Sequence, residues 1–205
     1  MATHVALLRG INVGGRNKVP MADLREVVTS LGHTGVTTYI QTGNVFFTAA
    51  SGSTAASAGT GENTSTGELA SSLESAITDA FGIWSCVVVL SRDELAKVLG
   101  DNPYLDEANP KLVHVVFLSA ALPGDLLDRI AAAQSAAAAK GSRDTATAAG
   151  HALFLHTPDG FGTSELAQAV FRIITPPAKQ KNAGLAATAR NWTTATKLLS
   201  LCDEK

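Results

Sequence analysis

The order of short apolar runs and amphipathic segments is the feature that most constrains the fold of this 205-residue chain. In residues 1–90, runs typical of strands alternate with segments whose apolar residues recur three or four positions apart. The predicted elements are strand Val5–Leu8, helix Pro20–Leu31, strands Val36–Ile40 and Asn44–Thr48, helix Gly67–Phe81 and strand Ser85–Leu90. This order is typical of the ferredoxin-like motif, in which two helices cover one face of an antiparallel sheet.

The second half of the chain predicts a similar order, with no sequence identity between the halves worth counting. A capping box in Ser91-Arg92-Asp93-Glu94 begins a helix that ends at Gly100, and the linker Asp101–Pro110 follows. After it come strand Leu112–Leu118, helix Pro123–Ala133, strands Asp144–Ala148 and Ala152–His156, helix Ser164–Ile174, loop Pro176–Ala187 and helix Trp192–Cys202. We therefore expect an α+β fold of two tandem ferredoxin-like (β-α-β-β-α-β) subdomains with antiparallel sheets, residues 1–90 and 91–205, plus a C-terminal helix.

Local signals refine the first subdomain. Gly43-Asn44 predicts a tight hairpin, and Ser65 with Glu68 predicts the capping box of the second helix. The stretch Ala49–Thr66 consists almost entirely of Ala, Ser, Gly and Thr, which cannot bury enough apolar surface to offset the entropy of ordering. We expect it to be a flexible surface loop with no role in chemistry.

Composition narrows the class of protein. Apolar residues make up 45% of the chain, yet no apolar run could cross a bilayer, and Arg9 comes before any signal-peptide core, so we expect a cytoplasmic protein without membrane contact. Cys86 and Cys202 have no second Cys or His at metal-ligand spacing, which predicts buried inert thiols and no metal. No cofactor is expected.

Charge is distributed unevenly along the chain. The formal net charge of −2 argues against a general nucleic-acid coat. Residues 1–50 carry +2 and residues 176–205 carry +3, whereas residues 51–175 carry −7. Basic ends are expected if both ends converge on one site, and a chance distribution of so few charges is the alternative.

The loop after the first strand, Arg9–Lys18, is the strongest candidate site. Its glycines allow close approach to the backbone, its arginines can fork to phosphate or carboxylate, and its asparagines can donate and accept hydrogen bonds. It lacks the lysine and hydroxyl of a phosphate loop and is no dinucleotide fingerprint. The candidate contacts here are Arg9, Gly10, Asn12, Gly14, Gly15, Arg16 and Asn17. The structural alternative is a long turn whose asparagines satisfy its own backbone.

Two later segments also join predicted elements. His156–Ser164 runs from a strand into a helix whose free N–H groups could hold an anion, although a plain connection explains the same residues. Thr188–Lys197 opens the last helix, with Asn191 as its N-cap. Its candidate ligand contacts are Arg190, Asn191, Trp192 and Lys197, and packing on the core is the alternative for Trp192.

Several motifs resemble the bacterial family called domain of unknown function 1697. They are Leu7-Leu8-Arg9-Gly10-Ile11-Asn12-Val13-Gly14-Gly15, Lys18-Val19 with Met21, Tyr39-Ile40-Gln41 with Gly43-Asn44-Val45, Pro158-Asp159-Gly160 with Gly162 and Ser164, and Thr188-Ala189-Arg190-Asn191-Trp192 with Thr194 and Lys197. The resemblance implies a compact α+β protein of ferredoxin-like units and no established activity. Thr42, Thr193 and Glu165 depart from the family's usual serine, asparagine and lysine, and the last departure weakens an anion site at His156–Ser164.

The leading hypothesis is a cytoplasmic protein that binds an anionic ligand where the opening loop meets Thr188–Lys197. The ligand classes are a nucleotide, a phosphorylated metabolite or a nucleic-acid end. One alternative is a hydrolase or transferase acting on such a substrate, with His156 or Asp159 as general base. Another is RNA or DNA binding on the sheet, although Phe46 and Phe47 point to opposite faces of one strand. A scaffold without a small ligand is the remaining alternative, and the sequence does not define catalytic residues or the oligomeric state.

Overall fold

In the computed structural model, residues 1–50, 63–175 and 185–204 are described, and they form two compact units. The first unit comprises Met1–Ala96 with Lys197–Lys205, and the second comprises Lys97–Thr196. The last nine residues of the chain thus belong to the first unit.

The first unit is built on a four-stranded antiparallel sheet in the order β2-β3-β1-β4. Its elements are β1 (His4–Leu8), α1 (Met21–Ser30), β2 (Thr34–Tyr39), β3 (Asn44–Thr48), α2 (Asn63–Phe81) and β4 (Val87–Ser91), followed by α3 (Arg92–Gly100). The predicted capping box begins α3, because Ser91 Oγ accepts from Glu94 N and Glu94 Oε2 accepts from Ser91 N.

The second unit repeats this organisation with its sheet in the order β6-β7-β5-β8. Its elements are β5 (Val113–Leu118), α4 (Gly124–Ala138), β6 (Thr145–Ala149), β7 (Ala152–His156), α5 (Glu165–Ile174), β8 (Ala187–Asn191) and α6 (Trp192–Asp203). Ser164 caps α5 by accepting from Ala167 N at 2.9 Å, and Leu166, Val170 and Ile174 form the buried stripe of that helix. The chain is thus a mixed α+β protein in which the described residues form two four-stranded antiparallel sheets and six helices.

Three local predictions are wrong. Residues 187–191 form β8, although the sequence predicts a loop up to Ala187 and a polar segment between elements after it. Helix α2 begins at Asn63, so Ser65 lies inside it and cannot be its N-cap; the rest of the predicted flexible loop Ala49–Thr66 falls mostly outside the described residues. Asn44 belongs to β3 and not to the hairpin, which is the four-residue turn 40–43.

Both faces of strands β1, β3 and β4 in the first sheet are buried. One face carries Ala6, Leu8 and Phe47, which pack with Leu24 of α1 and Leu73 of α2. The alternate residues of the same strands are also buried, namely Val5, Leu7, Phe46, Val88 and Leu90. Because Phe46 and Phe47 are 2% and 0% exposed, β3 offers no aromatic platform for stacking nucleic-acid bases.

Candidate functional site

The candidate site of the first unit consists of two loops at one edge of its sheet. Strands β1 and β2 both run antiparallel to β3, so their C-terminal ends lie at the same edge. The loop Arg9–Lys18 follows β1, and the turn Ile40–Gly43 follows β2. We call these two segments the loop pair.

Asn12 ties the two loops together through its side chain. Its Nδ2 donates to Val19 O and to Gln41 O, both at 2.9 Å, while its Oδ1 accepts from Val19 N at 2.9 Å. Asn17 Nδ2 donates to Gly10 O at 2.9 Å within the same loop. Both asparagine amides therefore hold the loop backbone, as the structural alternative expects.

The backbone at Gly43 lies close to Leu8 and Ile11. Its carbonyl accepts from Leu8 N at 2.8 Å, and a Cβ at this position would lie 2.7 Å from Leu8 Cβ and 3.0 Å from Ile11 Cδ1. Ile11 itself is 1% exposed and belongs to the core. The turn 40–43 is thus fixed on the first loop by a contact that only glycine allows.

The tip of the first loop is open. Arg16 N donates to Val13 O, which closes a small turn around Gly14 and Gly15, and both glycines have positive φ, +58° and +75°. A Cβ built on either glycine would meet no atom within 4 Å. Among the described residues, the N–H groups of these two glycines have no backbone acceptor.

The cations of the first loop differ in their surroundings. Arg9 is half-buried, and its backbone is fixed because its N–H donates to Cys86 O at 2.9 Å and its carbonyl accepts from Ser85 Oγ at 3.0 Å. Arg16 and Lys18 are exposed, and within residues 1–50, 63–175 and 185–204 their side chains have no hydrogen bond or ion pair. Arg16 and Lys18 are therefore the cations best placed to meet an anion.

The corresponding connections in the second unit are shorter. The link from β1 to α1 has twelve residues, 9–20, whereas the link from β5 to α4 has five, 119–123. The turn between β2 and β3 has four residues, whereas Gly150 and His151 alone join β6 to β7. Both loops of the pair are thus longer than their counterparts.

The segment His156–Ser164 has internal partners for its titratable groups. His156 Nε2 lies 2.7 Å from Glu107 Oε2, and Tyr104 stacks on the imidazole with ring centroids 5.2 Å apart. Asp159 pairs with Arg143, which holds the pKa of that carboxyl below its usual range. The contacts of this segment match the plain strand-to-helix connection that the sequence offers as an alternative.

The segment Thr188–Lys197 is strand and helix, and its polar groups have structural partners. The Arg190 guanidinium is buried in β8, donates to Thr188 Oγ1 and Ala189 O, and has its pKa lowered to about 10 by burial. Asn191 Oδ1 accepts from Thr194 N at 2.7 Å and caps α6, as predicted.

The two remaining candidates of that segment also make contacts. Trp192 meets Phe154 edge to face, and Lys197 pairs with Glu204 at 2.9 Å. Residues 188–196 belong to the second unit and the loop pair to the first, so the joint site of the two segments stays a prediction.

Other chemistry-bearing residues add little to the site. Cys86 and Cys202 are buried free thiols, and burial raises the pKa of Cys202 to about 11. In the part of the chain that the structure describes, no three His, Cys, Asp or Glu side chains gather as metal ligands. No described helix combines the length and apolarity needed to cross a bilayer.

No sequence pattern predicts that two apolar side chains of the loop pair are exposed. Val13 is 62% exposed and Ile40 is 47% exposed. Ile40 also has a positive φ of 49°, a conformation that β-branched residues rarely adopt. Sequence patterns assign Ile40 to a strand, and the strand ends one residue before it.

Comparisons with known proteins find a similar solved structure and a matching family. No curated protein matches the chain. A solved structure, described as that of the conserved bacterial protein SP0830 from Streptococcus pneumoniae, is similar with a TM-score of 0.63 and 24% identity over 98% of each chain. This likeness shows a shared fold. The family described as "Protein of unknown function (DUF1697)" matches residues 1–154, and the chain belongs to that family.

Proposed function

We propose that the protein binds a phosphate-bearing anion at the loop pair. The observation that carries the proposal is the exposed pair Arg16 and Lys18, two cations without an internal partner among the described residues, beside the open backbone of Gly14-Gly15. A guanidinium donates two parallel hydrogen bonds to a phosphate, and the N–H groups of Gly14 and Gly15, which have no backbone acceptor among the described residues, add further donors. The extra length of this loop relative to its counterpart supports a role outside the fold.

The same proposal extends to the setting of the site. We place the protein in the cytoplasm and assign each sheet with its two helices to the ferredoxin-like arrangement. The repeated β-α-β-β-α-β order and the two strand orders support this assignment. Contacts from Thr188–Lys197 are not required, because Arg190, Asn191 and Lys197 have the structural partners described above.

Binding is a better-supported function than catalysis. A hydrolase or transferase needs a base beside the ligand, and the two candidates for that role are His156 and Asp159. Both lie in the second unit, where they pair with Glu107 and Arg143. Neither pairing favours an acid–base role over a structural one.

Calorimetric titration with inorganic pyrophosphate tests the proposal. We expect Arg16→Ala to weaken binding about tenfold, since a hydrogen bond to a charged group contributes about 1.5 kcal/mol or more. Arg129→Ala is the matched control, because Arg129 is exposed on α4 in the second unit and the change in net charge is the same. Equal affinities of all three proteins, or no binding by the wild type, would reject the proposed function.

A further inference from the structure

The loop pair presents apolar side chains next to its cations. Val13 and Ile40 are two of the few large apolar residues that are strongly exposed in the described part of the chain. Asn12 and Gln41, the chain neighbours of Val13 and Ile40, are joined directly by the bond from Asn12 Nδ2 to Gln41 O. The two exposed side chains therefore start from adjacent backbone, beside Gly14 and Arg16.

The conformation of Ile40 destabilises the fold. A β-branched residue in the left-handed region costs about 1–2 kcal/mol, and the usual residues there are glycine and asparagine. Ile40 takes φ 49° and still leaves nearly half of its surface in water, so core packing does not account for it. The first residue of the corresponding turn in the second unit is Gly150, with φ 53°. An isoleucine at this position is explained if its exposed side chain contacts a ligand.

We infer that the ligand of the loop pair is a nucleotide, either free or at the end of a strand. Its phosphate meets Arg16 and the Gly14-Gly15 backbone, and its base and sugar cover Val13 and Ile40. A nucleotide fits because it carries a charged group and a largely apolar planar group within a few bonds of each other. This inference rests on the proposed function and names the ligand class of that same site.

A membrane surface is the competing partner for loops that are both basic and apolar. Two short aliphatic side chains bury little area in a bilayer, where Trp, Phe and Leu are the usual anchors. The observations therefore favour a nucleotide.

The test compares two ligands on two substituted proteins. Ile40→Asn keeps a residue that tolerates the left-handed conformation and removes the apolar side chain. Leu127→Asn is the matched control, because Leu127 is 38% exposed on α4 of the second unit. Adenosine monophosphate and inorganic pyrophosphate are titrated calorimetrically into both variants, Arg16→Ala and the wild type, and the thermal unfolding midpoint of each is recorded.

We expect Ile40→Asn to weaken adenosine monophosphate binding about fivefold to tenfold, as for an aliphatic side chain that loses part of its burial. Pyrophosphate affinity should stay unchanged, the unfolding midpoint should not fall, and Leu127→Asn should bind as the wild type does. A 5′-phosphorylated RNA oligonucleotide and its dephosphorylated form separate the two sources. Tighter binding of the phosphorylated strand than of the monophosphate supports a strand end, and the reverse supports a free nucleotide.

Two results would overturn the inference. The first keeps the phosphate site without a base contact, and the second assigns the loop pair to a different ligand. Unchanged adenosine monophosphate affinity in Ile40→Asn, with both ligands lost in Arg16→Ala, retains the anion site and removes the base contact. Binding to phosphatidylserine vesicles that Ile40→Asn abolishes, with no nucleotide bound, assigns the loop pair to a lipid surface. If pyrophosphate binding does not depend on Arg16, the proposed function itself fails.

Discussion

The two sheets of this protein share their topology and differ in the loops at one edge. Strand β1 (His4-Val5-Ala6-Leu7-Leu8) and residues 114–118 of β5 (His114-Val115-Val116-Phe117-Leu118) align residue by residue. Their registers confirm the alignment, because His4 pairs with Ser91 and His114 pairs with Asn191, the residues that cap α3 and α6. Beyond these strands the second unit uses short connections, whereas the first unit carries the loop pair.

The difference shows how much of each connection the fold requires and how much it does not. In the second unit, the connection from β5 to α4 has five residues and the connection from β6 to β7 has two. In the first unit the same connections contain every described non-glycine residue with positive φ, namely Asn12, Asn17 and Ile40. Backbone strain that the fold can avoid is therefore concentrated at one edge of one sheet. Such strain is found most often at functional sites.

The largest expected effect is that of Gly43→Ala. The new Cβ would lie 2.7 Å from Leu8 Cβ on a backbone with φ +80°, so both a clash and conformational strain oppose it. We expect the free energy of unfolding to fall by about 3 kcal/mol or more. Urea denaturation followed by circular dichroism measures the change.

Gly150→Ala is the matched control in the second unit. Gly150 has φ +53°, and a methyl group added there would meet no atom within 4 Å. Only conformational strain applies at this position, about 1 kcal/mol. Similar losses for the two variants would contradict the close contact between the two loops of the pair.

The next effect is that of Asn12→Gly against Asn17→Gly. Both residues have positive φ, 53° and 50°, so glycine preserves the backbone and removes only side-chain bonds. Asn12 loses three hydrogen bonds and Asn17 loses one. At about 1 kcal/mol each, we expect losses near 3 and 1 kcal/mol in the same denaturation experiment. If Asn12→Gly is no more destabilising than Asn17→Gly, the loops are not joined as described.

The elements that can be predicted from the sequence are those with strong apolar patterns. Strands Asn44–Thr48 and Ala152–His156 have the bounds that their patterns predict, and the Ser91–Glu94 capping box begins α3 as expected. Strand β8 escapes prediction because the only apolar residues in its alternation are Ala187 and Ala189, and alanine is a weak strand former. The strand forms through pairing with β5, a tertiary contact that local propensity does not encode.

The sequence locates the candidate loop better than it assigns the contacts of its side chains. Glycine, arginine and lysine in Arg9–Lys18 indicate an exposed loop, and Arg16 and Lys18 are exposed. The asparagines are ambiguous, because Asn bonds a ligand and its own backbone with the same groups, and Asn12 bonds the backbone. Burial of Arg190 and the left-handed conformation of Ile40 depend on packing and turn geometry, which composition does not specify.

The smallest expected effect compares the two aligned histidines through the pH dependence of stability. Burial lowers the pKa of His114 from 6.5 to about 4, while its ring stacks on Phe161 with centroids 3.9 Å apart. The unfolded imidazole therefore takes up a proton near pH 6.5 and the folded one only near pH 4. Between these values the unfolded state binds more protons, so the free energy of unfolding falls as pH falls, and above pH 6.5 this contribution is complete.

Replacement by phenylalanine keeps the ring and removes the titration. We expect His114→Phe to flatten the stability profile between pH 6.5 and 4 by less than the one-proton limit of about 1.4 kcal/mol per pH unit, since the partly exposed ring is screened by water. Burial also lowers the pKa of His4, but the charge of Glu94 opposes the shift, so His4→Phe should flatten the profile less. Urea titrations at closely spaced pH values measure both slopes. A larger effect at His4 would mean that the aligned histidines do not differ in burial and charge as their surroundings indicate.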